Sequence, residues 1–164
     1  MKKTARSRKV PPAASAQSSG AGAAPPYGPP LGLARAQVIM AAAEAEAARH
    51  GWAVAIAIVD SGAHLVMLQK LDGTQHSSVE VAIGKATTAV NFRKPSKHYE
   101  DAIAAGGGGL RFLAMPGMTP FEGGVPIVVD GAIVGGIGVS GVRSDFDARI
   151  AAAGLATAAQ GARR

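Results

Sequence analysis

Glu122 stands directly before Gly123 and Gly124, whose backbone amides can approach an anion with no side chain in the way. A glutamate beside such amides, with the cations Lys85 and Arg93 as partners, has the parts needed to bind a small carboxylate and move a proton. Recognition would come from charge-assisted hydrogen bonds, and acid–base work from a tuned carboxylate. Thr88, Ser140 and Asp147 add two hydroxyls and a second carboxylate. The candidate set is therefore Glu122, Lys85 and Arg93 for catalysis, with Thr88, Gly123, Gly124, Ser140 and Asp147 for ligand contact. The same residue types also build buried salt-bridge networks that fix sheets to helices, and residue type alone does not separate the two readings.

Other chemistries find less support. The chain has no cysteine, which removes disulfides, thiolate metal sites and cysteine nucleophiles. Its four histidines, His50, His64, His76 and His98, form no pair at the helical spacing of a zinc motif. No serine, histidine and aspartate grouping follows from spacing, because triads are defined by geometry. The glycine run Gly106–Gly109 lacks both the lysine-serine pair of a phosphate loop and a dinucleotide fingerprint, so it reads as a flexible helix exit.

The elements that must position these groups can be read in order. Leu31 to His50 is alanine-rich and ends at Gly51, a pattern that predicts a helix closed by a left-handed cap. Trp52 to Val59 and His64 to Gln69 flank Asp60-Ser61-Gly62 and predict a hairpin. Val79, Ile83, Ala86 and Val90 recur at spacings of three and four, so Ser77 to Asn91 predicts an amphipathic helix. Pro95 interrupts it, and Ser96 is placed to cap a short helix reaching Ala105. Val125–Val129 and Ala132–Val139 surround Asp130-Gly131, the strongest short-range hairpin signal in the chain. The glycines crowding that hairpin imply close approach, either by a packed backbone or by a ligand. Ser144 is placed to cap a last helix with Asp145 and Asp147 in its first turn. The order predicts an α+β domain, an antiparallel β-sheet flanked by α-helices.

The net charge of +6 invites a nucleic-acid partner until its position is considered. Residues 1–30 hold five of the 17 lysines and arginines and none of the 11 acids, leaving the remainder nearly neutral. That argues against a nucleic-acid surface on the folded part. Separate phenylalanines at positions 92, 112, 121 and 146 point the same way. Residues 1–30, rich in proline, glycine, serine and alanine, read as a disordered basic tail before a domain at 31–164. No apolar run approaches the roughly 20 residues of a membrane span. The tail lacks the apolar stretch of a secretory signal, so a cytoplasmic location is expected, with export left open.

Five ordered motifs carry a resemblance. They are AIAIVDSGAHLV (55–66), KLDG (70–73), KATTA (85–89), FRKPS (92–96) and EGGVPIVVDGAIVGGIGVSG (122–141). Over about Leu31 to Ala159 the chain resembles the GlcG/HbpS family of small haem-binding or haem-degrading-type domains, also found as the C-terminal domain of PduO proteins. Two departures are Lys70-Leu71 where the family often has arginine-methionine, and Ser96 where it has threonine. The resemblance implies a homo-oligomer of antiparallel sheet and helices in which the elements carrying the candidate residues converge near Gly123-Gly124. It implies a small-molecule ligand, with haem or a related tetrapyrrole as the favoured cofactor. His64, the histidine inside a shared motif, is then the candidate cofactor ligand. An enzyme of tautomerase or hydrolase type acting on a small organic acid through Glu122 is the alternative, and a structural or accessory subunit the second alternative.

Overall fold

The computed structural model describes residues 23–158. The basic cluster of the tail and the final arginines lie outside that range. The elements are α1 (Leu33–His50), β1 (Ala55–Asp60), β2 (Leu65–Lys70), α2 (Ser78–Asn91), α3 (Lys97–Ala104), a 3₁₀ helix (Gly107–Ala114), β3 (Gly124–Val129), β4 (Ala132–Ser140) and α4 (Ser144–Leu155). The strands form one antiparallel sheet in the order β2-β1-β4-β3. This is the α+β arrangement that the sequence predicts.

Alternation of side-chain size along the central strands decides what covers each face. In β1, Ile56 and Ile58 join Ile137 and Val139 of β4 in the main core, against Ile39, Met40 and Ala43 of α1 and Ile150 of α4. The intervening Ala55 and Ala57 pack with Ala82 of α2 instead. One face thus buries branched chains, each worth roughly 1.5–3 kcal/mol. The other is built of small residues so that α2 can lie close.

Gly136 and Gly138 take that closeness to its limit. A Cβ on Gly138 would collide with the backbone oxygen of Ala82, and one on Gly136 would sit 2.8 Å from the backbone oxygen of Ala86. The glycines of β4 therefore answer to backbone packing. At the β3–β4 turn, Asp130 and Gly131 have φ of 50° and 78°, the positive pair that a type I′ turn requires. Gly51 closes α1 with φ 65° and ψ 29° as expected.

Four local expectations resolve differently. Residues 26–31, in and next to the stretch read as tail, run beside β4: Gly28 donates its N–H to the Ile133 oxygen, Ile133 donates to the Pro26 oxygen, and Leu31 is buried. Backbone pairing and Leu31 burial supply the ordering energy that composition alone did not reveal. Ser96 makes no side-chain cap on α3. Ser144 is the first residue of α4 with Arg143 at the cap position, and no side-chain cap bond forms there. After the positive-φ break at Gly106, the glycine run turns into the 3₁₀ helix, and Gly109 lies so close to the Ala102 carbonyl that no Cβ would fit.

Gly138→Ala is expected to lower stability by about 1–3 kcal/mol through overpacking. Gly108→Ala, at a site with nothing within 4 Å and no positive φ, is expected to leave it nearly unchanged. Thermal melts of both variants, compared with the parent, check the contrast.

Candidate functional site

Lys85 enters the sheet–helix interface from α2 because the alanines around it hold the helix against β4. Its side chain, 3% exposed, donates to the Val139 oxygen at 2.9 Å and to Asp147 Oδ2 of α4 at 2.8 Å. Asp147 Oδ1 accepts the Val142 N–H at 3.3 Å, so one carboxylate ties α2, the end of β4 and α4 together. Burial pushes the Asp147 carboxyl above its ordinary range, while the hydrogen bond and charge of Lys85 pull it back. This pair is a buried structural tie.

Gly123 and Gly124 lie over that tie. Gly123 has φ 121°, and a Cβ there would meet the Val139 oxygen at 2.8 Å and Lys85 Nζ at 3.0 Å. A Cβ on Gly124 would collide with the Lys85 carbonyl. Ser96 fixes the same turn: its hydroxyl donates to the Phe121 oxygen at 2.5 Å and accepts the Gly124 N–H at 2.9 Å. The Ser96 N–H donates to the Gly124 oxygen. The hydroxyl that sequence reasoning assigned to a helix cap thus joins the start of α3 to the start of β3.

On its other side this turn forms a cavity of about 350 Å³, lined by Pro95, Lys97, His98, Glu122, Gly123, Gly124, Val125 and Ala148. Glu122 is half-buried, with its N–H donated to Glu100 Oε2 at 2.6 Å and its carboxylate 3.9 Å from Lys97 Nζ. Lys97 also bonds Asp101 at 2.6 Å, and that hydrogen bond holds the ammonium above its usual range. His98 is exposed at the rim, its ring edge-on to Tyr99 at 5.1 Å and its Nε2 3.4 Å from the Lys94 ammonium. An imidazole, an ammonium and a carboxylate therefore line one largely apolar hollow.

The candidates from sequence divide accordingly. Glu122, Gly123 and Gly124 line the cavity, while Lys85 and Asp147 lie beneath its floor, engaged with each other. Arg93 is exposed, has φ 55°, and lies over the Tyr27 ring at 5.7 Å. Thr88 is buried and accepts the Thr119 N–H at 2.8 Å, and Ser140 ends β4 opposite Ala55. His64 belongs to the β1–β2 turn, 82% exposed and 3.4 Å from Asp60 Oδ1, and does not line the cavity. The acid–base trio of Glu122, Lys85 and Arg93 is not assembled. Sequence reasoning missed Lys97 and His98, although both follow FRKPS directly, because an isolated histidine carries no spacing signal.

Asp147→Asn would leave the Lys85 ammonium buried without its charge partner. Such a break is expected to cost about 3–5 kcal/mol, and the double substitution Lys85→Met with Asp147→Leu less than that. Denaturant melts of the two variants measure the difference.

Comparison with known proteins agrees with the architecture. The sequence pattern of the family described as "Haem degrading protein HbpS-like" matches residues 31–156. Protein GlcG of Escherichia coli is 40% identical over 105 residues, which cover 64% of this chain and 77% of GlcG. A solved double mutant of HbpS from Streptomyces reticuli superposes with a TM-score of 0.72 at 31% identity, over 88% of this chain and 97% of that one. PduOC, solved as a haem complex, gives a TM-score of 0.71 at 26% identity, over 77% of this chain and 94% of that one. With five helical segments around the four-stranded sheet and a match across most of its described length, the chain belongs to the HbpS-like family.

Proposed function

We propose that this protein binds haem or a related tetrapyrrole at the cavity between α3 and the Glu122–Val125 segment. The observation that carries the reading is the placement of His98 and Lys97 on one apolar hollow floored by glycine. An imidazole is the usual strong axial donor to haem iron, and a cationic group suits a propionate. Pro95, Val125 and Ala148 supply apolar wall. The donor set fits the group, while the volume lies at the low end of small-molecule sites and suits part of a macrocycle. When bound, haem would supply an iron centre.

The chain's own residues do the holding. His98 offers a ring nitrogen, Lys97 can exchange its contact with Asp101 for a ligand carboxylate, and the Lys85–Asp147 tie keeps the glycine floor in place. Glu122 opposes an anion entering near Lys97, which favours seating the acidic groups of the ligand toward the rim. The haem complex of PduOC and the description of the family support the same ligand class. A homo-oligomer belongs to the same proposal, supported by the exposed Leu65 and Leu68 on edge strand β2. No helix among the described residues is long and apolar enough to cross a membrane.

Haemin titration followed at the Soret band tests the reading. Saturation near one haem per chain is expected, with affinity falling at least tenfold in His98→Ala and the melting temperature unchanged. Equal binding by His98→Ala with loss in His64→Ala would move the ligand to the β1–β2 turn, and non-saturating binding throughout would overturn the proposal.

A further inference from the structure

A second hollow, of about 320 Å³, opens beside Pro120 and Phe121. Ile103 and Ala104 of α3, Leu113 of the 3₁₀ helix, Pro120 and Phe121 form its apolar wall, and Glu100 is its one charged lining residue. It shares no lining residue with the cavity that holds His98. From this geometry we infer that the hollow is a separate ligand site, one that takes an uncharged, ring-sized hydrocarbon group.

Three features support the assignment. Leu113 and Phe121 are 67% and 51% exposed beside the hollow, so a seated apolar group would remove from water surface that folding has left wet. No cation lines the hollow, and the Glu100 carboxylate, whose Oε2 accepts the Glu122 N–H, disfavours a bound anion where water is excluded. The Leu113 side of the wall is also lightly held. The 3₁₀ helix contains no buried residue and is longer than such helices usually run. Gly106, Gly107 and Gly117 flank or begin it with φ of 74°, 56° and 73°, and nothing lies within 4 Å of a Cβ at any of them. The exposed Leu113 side chain can therefore turn over a ligand while Phe112 keeps its edge-on contact with buried Tyr99.

The test uses the full chain and two dyes that share one ring system, N-phenyl-1-naphthylamine and its 8-sulfonate. The neutral dye is expected to give a fluorescence rise that saturates at one per chain, and the sulfonate to bind at least tenfold more weakly at equal, low ionic strength. Leu113→Ser is expected to weaken the neutral dye at least fivefold, and Ile103→Trp, which fills the hollow, to abolish its saturable binding with the fold verified by circular dichroism. Val38→Ser, on the exposed side of α1, is expected to leave dye binding unchanged. Non-saturating binding, a sulfonate as tight as the neutral dye, or full affinity in both Leu113→Ser and Ile103→Trp would overturn the inference. So would affinity that falls as protein concentration rises, since a second copy would then cover the hollow.

Discussion

The rest of the structure depends on how closely the backbone of α2 lies against β4. Gly136 and Gly138 allow the strand to meet the carbonyls of Ala86 and Ala82, and Ala55 and Ala57 extend the same flat surface onto β1. Interiors are packed like crystals, so a helix set this close fixes everything it touches. Lys85 then has no route to solvent and finds Val139 and Asp147 instead. Gly123 and Gly124 are required above it because any side chain would strike the lysine or its backbone. The floor of the cavity is thus a consequence of helix packing two layers below.

That chain of constraint accounts for the double character of the Gly123-Gly124 turn. Its lower side is structural, held by Lys85, Asp147 and the Ser96 hydroxyl. Its upper side is open and meets Pro95, Lys97 and His98. A buried ion pair is weak support for net stability but strong support for a fixed geometry once both partners are present. In a ligand site that rigidity matters, because a preorganised floor leaves less ordering to be done on binding.

Much of the fold was legible because its signals are local. The Asp130-Gly131 turn needs positive φ at both positions, and the spacing of Val79, Ile83, Ala86 and Val90 can serve only a helix face. The site was half legible. Glu122, Gly123 and Gly124 announce themselves as a motif, and the reading of Lys85 with Asp147 as a structural network was already one of the two alternatives. What sequence could not show is distance. Lys85 and Arg93 are eight residues apart, yet one is buried in an ion pair and the other lies over Tyr27 at the surface. His64 drew attention for lying in a shared motif, whereas His98, outside every motif, reaches the cavity only because Pro95 and Ser96 set where α3 begins. Residues 26–30 likewise look unstructured by composition, yet Tyr27 is bridged to Ile133, about 106 residues further along the chain.

The central claim is that ligand recognition occurs over the glycine floor between α3 and β3. The most direct measurement is a map of backbone amide shifts in isotopically labelled protein titrated with zinc protoporphyrin, a diamagnetic stand-in for haem. The account predicts that the largest changes fall on residues 95–98 and 122–125, with the β1–β2 turn nearly still. Changes centred on Asp60 to Leu65, or scattered without saturation, would contradict it.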